Sequence, residues 1–214
     1  MIDFEAKTDG QLVILSAPSG GGKSTILRAL LDADPHLAYS VSATTRPARK
    51  TEVHGADYYF TALDEFHRLI REDAFYEYFE VHGNFYGTLK AEVDKKLAAG
   101  KDVLLDVDVQ GSMRLKQMMP GCLTIFILPP SMSVLETRLR GRASDSEEVI
   151  QRRLINAEGE IRLAGRYDYI LINRDLAQTV EDVRLIIKAQ QFRASRIVLK
   201  DNSGKPLAPA CPVT

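Results

Sequence analysis

The 214-residue chain predicts an α/β fold: a central parallel sheet flanked by helices, with a small mixed or antiparallel insertion and a helical excursion. Three observations carry that prediction. Four short runs, QLVILS (11–16), DVLLDVDV (102–109), LTIFIL (123–128) and YILIN (169–173), are apolar on both faces, as buried parallel strands require. Helical patterns lie between them, and strand alternating with helix is the signature of a parallel α/β sheet. The segment SAPSGGGKST (16–25) places a glycine-rich turn where the first run ends and the first helix begins.

Each element can be justified in turn. The first strand is followed by a helix over Lys23–Leu31. Residues 39–88 break the alternation with short patterns such as YSVSATT, ADYYF and FYEYFEV, rich in Tyr, Thr and Gly; these read as an inserted, more antiparallel unit. A helix over Leu89–Ala99 stops at Gly100, whose missing Cβ suits a helix end. After the second and third apolar runs, Ser133-Val-Leu-Glu136 matches a capping box and starts the next helix. Asp145 with Glu148 marks another start, and residues 134–164 are arginine-rich and amphipathic without a strand. A closing helix is expected over Thr179–Ala194, and after about Val198 the segment KDNSGKPLAPACPVT loses periodicity and is expected to be a loosely ordered tail. The expected organisation is a core of 1–38, 89–133 and 165–214, an insertion over 39–88 and a helical excursion over 134–164.

Composition excludes several classes. The formal net charge is −1, so no global field draws the chain to nucleic acid or to anionic lipid. The two cysteines, Cys122 and Cys211, are far apart and form no metal or redox motif; a lone disulfide stays open, and a reduced, cytoplasmic setting is the expectation. The start, MIDFEAKTDG, lacks the layout of a signal peptide, and the longest apolar runs are far shorter than a bilayer span.

The glycine turn has a specific chemistry. Gly20, Gly21 and Gly22 let the backbone curl so that amide N–H groups, with those of Ser19, Lys23, Ser24 and Thr25, converge on one concavity at a helix N-terminus. Lys23 can reach the β- and γ-phosphates and Ser24 can ligate Mg²⁺. In the pattern G-x-x-x-x-G-K-[ST] the first position here is Ala17, while Gly22, Lys23 and Ser24 match. The reading is a nucleoside triphosphate site; the loop alone leaves the phosphoryl acceptor open.

The motifs SATTRPAR (42–49), DYYF (57–60), GNFYGT (83–88) and DVDVQG (106–111), taken together with that loop, resemble guanylate kinase through nearly all of the first 175 residues. The resemblance implies a P-loop kinase fold in which 39–88 binds GMP and 134–164 closes over ATP. It implies that Arg46, Arg49, Tyr58 and Tyr86 hold the GMP phosphate, and that Ser42, Glu77, Thr88 and Asp106 hold guanine. The chemistry agrees. A carboxylate can accept from guanine N1–H and N2–H together, a hydroxyl can donate to O6, and adenine reverses both features. Two guanidiniums and two phenols suit a phosphate dianion. Asp106 and Asp108 end a strand, where open α/β sheets place their ligands; Asp108 is a candidate to order water on the metal. His54, His67 and His82 show no ligand spacing and read as surface or packing residues.

The lid segment RLRGRASDSEEVIQRR (138–153) supplies Arg138, Arg142 and Arg153, which the resemblance places over the triphosphate, whereas Arg140 and Arg152 read as surface. Arg138 and Arg142 are four apart and share a face if helical. The chain has Gly-Arg-Ala-Ser-Asp where the family more often has Gly-Arg-Gly-Thr-Asp. Asn173 matches an asparagine beside the adenine of ATP. The implied reaction is ATP + GMP ⇌ ADP + GDP with Mg²⁺, with Lys23, Arg46, Arg142 and Arg153 neutralising the transferred group. Two other readings are a non-catalytic guanylate-kinase-like module that binds protein ligands, and a related sugar-phosphate kinase; the intact phosphate loop weighs against the first, Glu77 with Thr88 against the second.

Overall fold

The computed structural model describes residues 3–6, 10–81, 83–141, 146–201 and 203–205. In chain order the strands are β1 Asp3–Ala6, β2 Leu12–Ser16, β3 Leu37–Tyr39, β4 Ala43–Thr44, β5 Tyr59–Phe60, β6 Phe75–Val81, β7 Asn84–Leu89, β8 Asp102–Asp106, β9 Leu123–Leu128, β10 Tyr169–Ile172 and β11 Ile197–Lys200. The helices are α1 Lys23–Ala33, α2 Leu63–Arg71, α3 Lys90–Ala98, α4 Val109–Met118, α5 Met132–Arg140, α6 Glu147–Arg162 and α7 Leu176–Gln190.

The core is a five-stranded, all-parallel sheet in the order β10-β9-β2-β8-β3. All five residues of β2 are buried, because the strand lies mid-sheet with an apolar cluster on each face. Val13, Leu15, Leu104 and Ile125 pack with Ile26 and Leu30 of α1 and Val183 and Ile187 of α7. On the opposite face Ile14, Val103 and Leu105 pack with Val93 of α3 and Leu115 of α4. A second, mixed sheet runs β5-β4-β7-β6, with β4–β5 parallel and the other pairs antiparallel, the mixed or antiparallel unit that the fold class anticipates. It has its own small core, in which Phe66 of α2 stacks on Phe75 at 4.5 Å between ring centroids. No described helix is long and apolar enough to cross a membrane.

Several expectations are corrected. β10 is not buried: Tyr169, Ile170 and Ile172 are each more than a third exposed, since β10 is the sheet edge and, among the described residues, pairs with β9 alone. The run 102–109 stops being a strand at Asp106, because Asp108 turns the chain into α4 by accepting a hydrogen bond from the Gly111 amide at 2.7 Å. The cap of α5 is Ser131, whose hydroxyl accepts from Val134 N at 3.2 Å, so the capping residue lies two positions before Ser133. Likewise Ser146 caps α6 through the Val149 amide; Asp145 lies outside the described residues. α7 starts earlier and ends earlier than Thr179–Ala194, with Asp175 as its cap. The expected tail begins within β11, which pairs antiparallel with β1; residues 206–214 lie outside the described residues. β3, α2 and α4 were not anticipated at all.

Candidate active site

The phosphate loop connects β2 to α1 at the carboxyl ends of the strands, the side of an open parallel sheet on which ligands sit. Its shape demands glycine at two positions. Gly20 and Gly22 have φ of 87° and 95°, left-handed values that residues with a Cβ rarely adopt, and a Cβ on Gly20 would stand 2.7 Å from Leu139 Cδ2. Ala17, at the first position of the motif, is not in that region of φ. Its backbone therefore tolerates a side chain, which explains the departure from the glycine pattern.

Lys23 opens α1 and folds back across the loop. Its Nζ donates to Val107 O at 2.9 Å and pairs with Asp106 Oδ1 at 2.5 Å. Asp106 is thus tied to the lysine of the phosphate loop and also lines the neighbouring cavity described below. Asp108 spends one oxygen on the α4 cap, the structural role that competes with the expected metal-water role. Two further residues touch the loop. Arg138 of α5 donates to Gly21 O at 3.3 Å. Glu160 of α6 accepts from the Ser19 amide at 3.2 Å, and burial holds its carboxyl above the ordinary value. A cavity of about 480 Å³ is bounded by Gly20, Gly22, Thr25, Arg138 and Asn173, so Asn173 does stand beside the loop. Arg153 lies on α6, and Arg142 lies outside the described residues.

The second cavity, about 140 Å³, lies between the two sheets and is lined by Tyr39, Ser42, Tyr58, Glu77, Phe79, Tyr86, Gly87, Asp106 and Val107. Glu77 is 5% exposed. Its Oε1 accepts from the Thr88 hydroxyl at 2.7 Å, while its Oε2 is buried without a hydrogen-bond partner among the described residues. Burial pushes the Glu77 carboxyl up to about 7, with Asp108 adding to the effect and Thr88 opposing it. A buried acceptor left unpaired costs about 1–3 kcal/mol, so this oxygen is one that a donor on a ligand would satisfy. Thr88 was expected to face guanine; here its hydroxyl proton goes to Glu77.

At the other end of this cavity the rings of Tyr58 and Tyr86 meet edge to face at 6.0 Å. Arg46 lies over Tyr58 at 5.5 Å, and its Nη2 donates to both oxygens of Glu52 at 2.8 and 2.9 Å. Glu52 also accepts from the Arg49 amide at 2.8 Å, and the Arg46 guanidinium keeps its carboxyl below the ordinary value. The structure therefore brings Ser42, Arg46, Arg49, Tyr58, Glu77, Tyr86, Thr88 and Asp106 to one region. Glu52, Glu160 and Tyr39 were missed. Glu52 had a visible signal, an acid three residues after Arg49; Glu160 and Tyr39 had none, because they meet the site only through the tertiary fold. His54 and His67 pack edge-on against Tyr59 and Phe85, and His82 lies outside the described residues. Among the described residues no cluster of three or more His, Cys, Asp or Glu could hold a metal.

A family model described as guanylate kinase matches residues 9–190. Guanylate kinase of Geobacter sulfurreducens is 50% identical over 192 residues, covering 90% of this chain and 95% of that protein. Guanylate kinase of Escherichia coli K12 is 48% identical over 189 residues, covering 87% and 91%. The crystal structure of guanylate kinase from Anaplasma phagocytophilum is 36% identical and superposes with a TM-score of 0.72, over 90% of this chain and 92% of that one. Sequence and fold agree, and the chain belongs to the guanylate kinase family.

Proposed function

We propose that the chain transfers the γ-phosphoryl group of ATP to GMP, reversibly, giving ADP and GDP. The observation that carries the choice of acceptor is Glu77 Oε2, a buried carboxylate oxygen without a partner among the described residues in a cavity reached by Ser42, Tyr58 and Tyr86. Ionised Glu77 accepts from guanine N1–H and N2–H; against adenine the same oxygens would face an acceptor. Arg46, Arg49, Tyr58 and Tyr86 take the GMP phosphate, with Glu52 keeping the Arg46 fork oriented. Ser42, Thr88 and Asp106 complete the guanine end.

On the donor side the amides of Ser19 to Thr25 and the Lys23 ammonium take the triphosphate, and Asn173 lies against the adenosine. Arg138, Arg142 and Arg153 approach from the lid, 134–164, as it and the insertion close on each other. Mg²⁺ takes few protein ligands and relies on substrate phosphates, which fits a loop whose Ser24 hydroxyl is exposed; Ser24 would hold the ion and Asp108 would order water around it. When bound it neutralises charge on the triphosphate.

No general base is needed, because the attacking group is an already ionised phosphate oxygen. The barrier is repulsion between two polyanions, and Lys23, the loop amides and the arginines lower it by neutralisation and alignment. Closure removes water, the competing acceptor. The test is ADP release with magnesium ATP and each of GMP, AMP, CMP and UMP. GMP alone should support rapid turnover; equal rates with AMP would reject the assignment.

A pH dependence follows. With the Glu77 carboxyl near 7 in the empty pocket, a falling fraction is ionised as pH drops, and only the ionised form matches guanine. The KM for GMP should therefore fall as pH rises from 6 to 8, by a factor beyond that from the GMP phosphate itself, while the KM for ATP stays flat. The Glu77→Gln variant reports the phosphate contribution alone; identical profiles for the two proteins would contradict the role of Glu77.

A further inference from the structure

The acceptor cavity holds one polar group that the reading above does not use, the Tyr39 hydroxyl. Tyr39 ends β3 and sits opposite Leu104 in the parallel register. Leu104 and Asp106 are two apart on β8 and share a face, so the Tyr39 ring stands on the Asp106 side of the sheet and lines the cavity with Asp106 and Tyr58. Its lower part packs on the core beneath α1. Its backbone carbonyl accepts from Lys96 Nζ at 2.7 Å, which fixes the strand end, yet its hydroxyl has no hydrogen-bond partner among the described residues. Burial is the largest influence on this phenol, followed by the charges of Asp106 and then Tyr58. All raise its pKa, so the group stays a neutral donor and acceptor at any working pH. Those neighbours also place it between the two ends of the pocket: Tyr58 belongs to the phosphate end and Asp106 to the wall leading toward the base.

The part of a nucleoside monophosphate that spans base and phosphate is the sugar, and its hydroxyls both donate and accept. We propose that Tyr39 is a specificity-determining residue whose hydroxyl hydrogen-bonds a ribose hydroxyl of the bound GMP. The inference rests on GMP being the acceptor. It goes further by assigning recognition of the sugar to one atom.

The test compares wild type with Tyr39→Phe, which keeps the ring and its packing and deletes only the oxygen. With magnesium ATP, kcat/KM is measured for GMP, 2′-deoxy-GMP and 3′-deoxy-GMP. A neutral hydrogen bond is worth about a 3–10-fold effect. The variant should lose that factor on GMP, through KM, and lose nothing on the deoxy analogue that lacks the contacted hydroxyl; the KM for ATP should not change. A loss of the same size on all three acceptors, or on none, would overturn the ribose contact. Turnover of GMP by wild type in the same experiment keeps this outcome separate from a failure of the GMP reading, in which no acceptor of the three would be used.

Discussion

Lys23→Met should lower kcat by at least about 10²–10³-fold, the cost of removing one preorganised group from a site of developing charge, while the protein remains folded. The lysine is 18% exposed, so its aliphatic stem already packs and methionine can replace it. What methionine cannot supply is the ammonium that holds Val107 O and Asp106 and that, in the proposed reaction, meets the phosphates. The variant leaves Asp106, 23% exposed, without its cation, a cost of about 1–3 kcal/mol in stability that a denaturation curve would read. Cooperative unfolding with a modestly lower midpoint, together with near-absent turnover, is the expected pair of results. Near-normal kcat would dismiss the loop as the phosphate site.

Glu77→Gln is the second large effect, and it acts on the other substrate. Gln presents one acceptor and one donor where guanine needs two acceptors, and hydrogen bonds to a charged group are worth about 1.5–3 kcal/mol each. The expected loss in kcat/KM for GMP is about 10²–10³-fold, with the KM for ATP unchanged; an equal loss for both substrates would contradict a guanine contact. Stability should move the opposite way. The folded-state carboxyl is raised from 4.5 to about 7, so the folded chain holds this proton more tightly than the unfolded chain. The stability it contributes is present below about 4.5 and is lost as pH rises through 7. At pH 8 the Gln variant, which carries no charge to bury, should be more stable than wild type, by up to about 3 kcal/mol; below pH 4.5 that difference should vanish.

How much of this was legible in the sequence differs by kind of feature. The phosphate loop was fully legible, because a strand, three glycines and Lys-Ser-Thr form a local pattern whose geometry is set by neighbours in the chain. β2, β8 and β9 were legible as continuous apolar runs. β3 was not, since three residues carry no period and its pairing with β8 is a tertiary fact. α4 was hidden because Gly111 and Ser112 blur its helical pattern. β10 read as buried because apolar composition does not distinguish a central strand from an edge. Within the site, the guanine and phosphate residues were named through a family resemblance and through ligand chemistry. The fold then shows that they converge, and adds what neither could supply: the orphaned oxygen of Glu77, the Arg46–Glu52 pair, and Glu160 against Ser19.

The central claim is that the Glu77 carboxylate reads the amino edge of the purine. It is tested most directly by a cycle in which the protein loses the carboxylate and the nucleotide loses its 2-amino group. The kcat/KM values of wild type and Glu77→Gln are compared on GMP and on IMP. The account predicts that wild type loses about 10–100-fold on going from GMP to IMP and that the variant loses far less, so the two changes couple. If wild type uses IMP as well as GMP, or if the penalty for IMP is the same in both proteins, Glu77 does not contact that group and the account is wrong.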